Sequence, residues 1–170
     1  VNLIFNALHG RDGEDGVAQS YFEYFKIPYT HSGIIASMNA MDKIISKKIF
    51  KINNLLTPNY VALNSVNYIK YLKEKSLRNS SLNYPLVVKP SNEGSSIGVE
   101  ICKNFNQLKK TVVKLIKNYK TLIVEDCIAG QEIQAAVING KALGAIELKP
   151  RRKFYDYKAK YSKSALTKHI

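Results

Sequence analysis

The sequence predicts a mixed α/β fold, and three of its features do so. Apolar runs of strand length recur, Pro85–Val88 and Thr121–Glu125 being the clearest. Phe105, Leu108, Val112, Leu115, Ile116 and Tyr119 recur at helical spacing. Asn139-Gly140 stands between two alternating runs, as a hairpin turn does. With 170 residues, 45% of them apolar, the chain is long enough to bury a sizeable core.

In chain order, Val1–Asn6 reads as a strand and His9–Gly16, HGRDGEDG, as the loop leaving it. A glycine-rich loop between a strand and a helix is a recurring ligand-binding position in α/β sheets. Val17, Ala18, Tyr21, Phe22 and Phe25 then predict a helix that begins near Gly16 and ends before Pro28. Ile27–Ser37 reads as a turn followed by small residues. Met41-Asp42-Lys43 leads into a helix with one apolar face, marked by Ile44, Ile45, Ile49 and Phe50, which Asn53–Pro58 breaks. Tyr60–Leu63 predicts a short strand, and Ser65 the cap of a helix carrying Val66, Ile69 and Leu72. Lys75–Asn83 is polar and reads as loop. Pro85–Val88 predicts a buried strand ended by Lys89 and Pro90, and Ile97–Ile101 the strand returning from it. Asn104-Phe105-Asn106-Gln107 has the form of a capping box ahead of the helical stripe. Thr121–Glu125 is a strand ending on an acid, and Glu132–Ile138 pairs with Ala142–Leu148. Lys149–Ile170 is basic, rich in tyrosine and without clear period, and reads as an extended functional loop.

Composition narrows the function. The formal charge is +13, but 22 of the 26 basic residues are lysines scattered mostly along helices, as solvated faces require. Only Lys149–Lys168 concentrates them, with eight Lys/Arg against Asp156. Local binding of a polyphosphate fits this distribution better than generic nucleic-acid binding, which stands as the lesser alternative. No apolar run reaches membrane-span length and no signal-peptide pattern opens the chain, so no membrane partner is expected. Cys102 and Cys127 are too few and too isolated for a disulfide scaffold or a zinc cluster, and a cytoplasmic location follows. The chain begins with Val1 inside an apolar run and reads as a fragment of a longer protein.

The stretch Tyr84–Val99, YPLVVKPSNEGSSIGV, holds the most specific chemistry. Gly94 and Gly98 permit positive φ and close backbone approach, Ser95 and Ser96 supply hydroxyls, and Lys89 places a charge beside the loop. Exposed N–H groups in such a loop suit a phosphate. The G-K-[ST] ending of a strand-to-helix phosphate loop is missing.

Five separated motifs, HGRDGEDG, YTHSG…SMNAMDK, VVKPSNEGSSIGV, VEDCIAGQE and KPRRKFYDYKAKY, occur in the order found in D-alanine–D-alanine ligases. The chain resembles that family over nearly its whole length. The resemblance implies an ATP-grasp fold, an α+β sandwich with part of an amino-terminal α/β domain and a truncated carboxy-terminal lobe. It divides the chain into residues 1–30, the remainder of the amino-terminal substrate domain; 31–124, the central lobe with the phosphate hairpin; and 125–170, the start of the carboxy-terminal lobe. It also implies ATP-dependent ligation of two D-alanines through an acylphosphate, for peptidoglycan.

By the same resemblance Lys43, Lys89 and Lys160 contact phosphates, with Glu93, Ser95 and Ser96 in the covering hairpin. Glu125 and Ile128 lie in the adenine-holding segment, Glu132 takes the ribose hydroxyls, and Phe154 packs on the adenine ring. His9 and Glu14 match positions near the first D-alanine. Ser95 and Tyr161 match a hydrogen-bonded pair that closes the lid and, with Lys160, serves catalysis. His31 stands where the family usually has glycine, as does Ser20, and Lys158 replaces a usual acid. The family's Mg²⁺ ligands are expected beyond Ile170, so no metal ligand is assigned within the chain. The expected partners are ATP, D-alanine and, as the family is commonly dimeric, a second copy. A non-catalytic ATP-binding remnant is the alternative reading.

Overall fold

A computed structural model describes residues 1–73, 80–149 and 168–170. The chain divides into two units, Val1–Cys127 and Ile128–Ile170.

The first unit is built on an antiparallel sheet in the order β1-β4-β2-β3, with β1 at Tyr60–Asn64, β2 at Leu86–Pro90, β3 at Glu100–Cys102 and β4 at Thr121–Asp126. Alternate side chains of a strand take opposite faces. On one face Leu63, Leu86, Val88, Cys102, Leu122 and Val124 are buried, and α5 (Phe105–Leu115) closes over them with Leu108, Val112 and Leu115. The predicted stripe is this contact: Phe105, Ile116 and Tyr119 pack at its margin. Asn104 caps α5, its side chain accepting from the Gln107 N–H at 3.0 Å. The Gln107 amide oxygen accepts from Lys103 N–H at 2.8 Å, one residue earlier than a reciprocal capping box requires. Burial pushes the Cys102 thiol pKa up, which suits a packing residue rather than a nucleophile.

The other face carries Tyr60, Val87, Lys89, Ile123 and Glu125, since Tyr60 and Val87 both lie opposite Glu125 and Lys89 lies opposite Ile123. The β2–β3 hairpin is as predicted, with two adjustments. β2 continues through Pro90, which pairs with Leu122, and Ser91 N–H then bonds Thr121 O at 3.1 Å. The returning strand is only Glu100–Cys102, because Ile97 and Val99 turn back on Gly94 O and Ser96 O.

Three helices precede β1: α1 (Val17–Tyr24), α2 (Ile34–Met41) and α3 (Lys43–Ile52). Gly16 caps α1 at φ 95°, and a Cβ there would lie 2.7 Å from Met38 Cγ, so the tight approach of α2 needs glycine. Asp42 accepts from the N–H groups of Ile44 and Ile45 and starts α3. α2 was not predicted. Ile34–Met41 has apolar residues on nearly every side and Gly33 offers no side-chain cap, so neither periodicity nor a start signal marks it.

Other expectations are corrected. Val1–Asn6 forms only a parallel bridge, Ile4 with Tyr29. Ser65 is not a cap: Asn64 Oδ1 accepts from Val66 and Asn67 N–H, both at 2.9 Å, and the helix, α4, is just Tyr68–Tyr71. In the expected Lys75–Asn83 loop, residues 75–79 lie outside the described residues, while Leu82 is buried in the core.

In the second unit β5 (Glu132–Ile138) pairs with β6 (Lys141–Lys149) around Asn139 and Gly140, both at positive φ, as the asparagine–glycine signal predicts. Of the expected loop Lys149–Ile170, residues 150–167 lie outside the described residues. Its last part is corrected: Lys168–His169 forms β7, pairing with Leu148 and Lys149.

Leu108→Ala should lower the stability of the chain by about 2–5 kcal/mol, because it opens a cavity between α5 and the sheet. Asn104→Ala should cost about 1 kcal/mol through loss of the cap. Urea midpoints at constant slope check both, and a smaller effect for Leu108→Ala than for Asn104→Ala would contradict this packing.

Candidate active site

The hairpin loop and α3 meet through one residue. Lys43, the first residue of α3, donates its N–H to Ser91 O at 3.0 Å and its Nζ to Glu93 O. The lysine is thereby laid along the loop that links β2 to β3. Burial holds its ammonium below the usual lysine range, and nearby Lys89 pushes it the same way, against the pull of Glu93, Asp42 and Glu125. Two of the predicted phosphate ligands, Lys43 and Lys89, are thus brought together with Glu93. Their shared field favours an anion.

The loop's conformation differs in detail from the expectation. Ser95 (φ 50°), Ser96 (φ 59°) and Gly98 (φ 69°) take left-handed backbone, whereas Gly94 does not. A Cβ on Gly98 would lie 2.9 Å from Pro90 Cγ, so that position needs glycine on both counts. Gly94 instead lies next to Gly10: a Cβ on it would make ordinary contact with Gly10 Cα at 3.7 Å. The hairpin tip therefore meets the His9–Gly16 loop, and two predicted motifs share one place. Within that loop Glu14 accepts from Gly10 N–H at 2.5 Å, which occupies one of its carboxylate oxygens, and His9 is exposed.

Glu125 ends the buried part of β4 and is itself buried. Its carboxylate pairs with Lys89 through Oε1 and lies 2.8 Å from Lys47 Nζ through Oε2. The second contact is an ion pair without hydrogen-bond alignment, so Oε2 has no hydrogen-bond donor among the described residues. Lys47 also donates to Thr57 Oγ1 at 2.8 Å and Pro58 O at 2.9 Å, and lies 5.0 Å from the centre of the Tyr60 ring. Sequence reasoning missed Lys47. Its one signal is a position four residues after Lys43, on the same side of α3.

His31, which the resemblance sets at a usual glycine position, takes φ 83°, and its ring Nε2 lies 2.5 Å from Asn6 O. A residue with a Cβ thus takes left-handed backbone here, with its imidazole against the Asn6 carbonyl.

In the second unit Ile128 and Glu132 are exposed, Glu132 opening β5 opposite Leu148. Phe154, Lys160 and Tyr161 lie outside the described residues. Among the described residues no three His, Cys, Asp or Glu side chains come together. By themselves these residues do not fit a Mg²⁺ site.

Residues 49–170 match the family described as D-ala D-ala ligase C-terminus. The D-alanine–D-alanine ligase of Pelagibacter ubique (strain HTCC1062) is 54% identical over 173 residues, covering 99% of this chain and 54% of that protein. The chain thus spans about half the length of the curated relatives it matches. Among solved structures, the D-alanine–D-alanine ligase from Bacillus anthracis complexed with ATP superposes with a TM-score of 0.74 at 27% identity. That match covers 100% of this chain and 52% of the other. VanG D-Ala:D-Ser ligase from Enterococcus faecalis gives 0.81 at 29% identity, covering 100% and 49%.

The lowered pKa of Lys43 makes a prediction with a definite sign. Between that value and the ordinary 10.5, the unfolded chain binds a proton that the folded chain has released, so stability rises with pH. The stability of the native chain relative to Lys43→Met should grow as pH is raised towards 10.5 and then level off. Urea unfolding of both proteins across this range measures it, and a pH-independent difference would rule the assignment out.

Proposed function

The chain belongs to the D-alanine–D-alanine ligase family and has the ATP-grasp fold, and on that premise we propose that it serves the ATP-dependent joining of two D-alanines for peptidoglycan in the cytoplasm. The observation that carries the proposal is the convergence of Lys43 and Lys89 on the glycine/serine hairpin loop. Two ammonium groups beside a small-residue loop suit a chain of phosphates, and they are worth most where water is scarce. In this reading the carboxylate of the first D-alanine attacks the γ-phosphate and ADP leaves. The amine of the second then attacks the acyl carbon, inorganic phosphate departs, and the amine gives up a proton.

Each residue has a share in that scheme. Lys43, Lys89 and Lys160 neutralise the phosphates, with Glu93, Ser95 and Ser96 shaping the cover above them. Glu125 and Ile128 hold the adenine, Glu132 accepts from the ribose hydroxyls, and Phe154 packs on the ring. His9 and Glu14 face the first D-alanine, a role supported by the approach of Gly10 to the hairpin tip. Ser95 and Tyr161 form the pair that orients substrates under the closed lid, which excludes water from the acylphosphate. Residues 1–30, 31–124 and 125–170 are the substrate domain, central lobe and carboxy-terminal lobe of this scheme, and a second copy is the partner.

ATP binding by the chain tests the proposal. Lys89→Ala should weaken ATP about 10- to 150-fold, the worth of one charge-assisted contact, and Glu132→Ala should weaken ATP and adenosine alike. Titration calorimetry measures both. No ATP binding, together with tight and steeply salt-dependent nucleic-acid binding that is lost on replacing Arg151 and Arg152, would decide for the nucleic-acid alternative.

A further inference from the structure

The two lysines that hold Glu125 are not equivalent. Lys47 is 6% exposed at its side chain, and its ammonium is occupied by Thr57 Oγ1, Pro58 O and Glu125 Oε2, with the Tyr60 ring alongside. It has no room for a ligand. Lys89 is 21% exposed and meets Glu125 through the other oxygen, from the next position on the same face of the sheet. It also lies close enough to Lys43 to depress that group's pKa. Glu125, at 7%, is too buried for its charge to be left without a partner.

The geometry points to Lys47 as a positioning residue: it is the fixed counter-ion of Glu125, which leaves Lys89 free to exchange that carboxylate for a phosphate of the nucleotide. A lysine that serves both a buried acid and a ligand meets a conflict. On turning to the phosphate it strands the acid, and the cost of the stranded charge is subtracted from the affinity. A second, permanent ammonium removes the conflict. Lys47 is built for permanence, because α3 supplies its backbone and residues 57–58 hold its head in place. Lys89 is built for exchange, because its stem rises from the end of β2 beside the hairpin loop. The inference rests on the reading of Lys89 as a phosphate ligand.

Three arms test it by calorimetry of ATP and adenosine binding to the full chain. Lys47→Met should weaken ATP about tenfold in the native background and less than about twofold in the Glu125→Gln background, where no buried charge remains to be stranded. Adenosine, which asks nothing of Lys89, should change less than about threefold under Lys47→Met, and Lys47→Arg should keep most of the ATP affinity. Equal losses for ATP and adenosine, equal losses in both backgrounds, or Lys47→Arg as damaging as Lys47→Met would overturn the inference. Lys89→Ala separates the premise from it. If ATP is unaffected by Lys89→Ala, the phosphate role of Lys89 fails and the inference falls with it. If ATP is weakened there but Lys47→Met behaves in one of the overturning ways, the inference alone fails. Should Lys47→Met not fold, the urea stability of Lys47→Met/Glu125→Gln decides. A double variant that folds supports the charge pairing, and one as unstable as the single variant refutes it.

Discussion

A carboxylate that cannot reach water governs the first unit. Glu125 sits on the central strand β4, between β1 and β2, and is met from two sides by ammonium groups. Removing one partner of a buried ion pair costs about 3–5 kcal/mol, since the survivor keeps its desolvation without its compensation. The cluster therefore adds to the sheet parts that the hydrophobic core does not include. Lys47 brings in α3, its contacts to Thr57 and Pro58 bring in the segment before β1, and Lys89 brings in β2. The placement of α3 in turn determines where Lys43 lies, because both lysines stand on that helix one turn apart.

The sheet divides its work between faces. One face is apolar and is covered by α5, where Leu108 and Val112 are fully withdrawn from solvent. That face supplies stability and keeps its charges at the margin, where Glu100 on the edge strand pairs with Lys114 of α5. The other bears Lys89 and Glu125 and receives Lys47, so the paired charges sit on a sheet whose reverse side is closely packed. Beyond the end of β2 the backbone turns through three left-handed residues, two of them serines. Such conformations cost a residue with a Cβ about 1–2 kcal/mol. They recur where a loop must present its backbone to a ligand rather than to a neighbouring strand.

Local codes were legible in the sequence, and tertiary ones were not. The Asn104 cap, the stripe from Phe105 to Tyr119 and the Asn139-Gly140 turn are written in residues close together and form where expected, and the β2–β3 hairpin forms with a shorter return strand. α2 escaped because Ile34–Met41 lacks both a polar side and a capping side chain. Ser65 looks like a cap, but Asn64 stands one residue earlier and its side-chain oxygen takes the N–H groups of Val66 and Asn67. In the site, Lys43 and Lys89 could be named from their motifs and are brought together. Lys47 could not. In a helix reading Lys43-Ile44-Ile45-Ser46-Lys47-Lys48, only the four-residue spacing from Lys43 separates the buried lysine from the solvated one beside it, and that spacing alone does not say what it meets. Only the fold, by placing Thr57, Pro58 and Glu125 around Lys47, gives it a role.

The overall charge of +13 acquires a different meaning at this site. Most of the excess is solvated lysine, but Lys43, Lys47 and Lys89 converge where one buried carboxylate, Glu125, and the half-buried Glu93 oppose them. Lys47 and Glu125 compensate one another at close range. What remains beside the loop is Lys89, shared with the same carboxylate, and Lys43, whose head rests on a neutral carbonyl and whose pKa is depressed. Charge in this region is thus compensated for the fold and under-compensated at the loop. A polyphosphate placed there would restore Lys43 towards its ordinary pKa and add an acceptor for Lys89. Binding of this kind stabilises the folded chain in proportion to the logarithm of ligand concentration over Kd. The electrostatics that make this site costly to fold are therefore those that would favour a polyphosphate beside the loop.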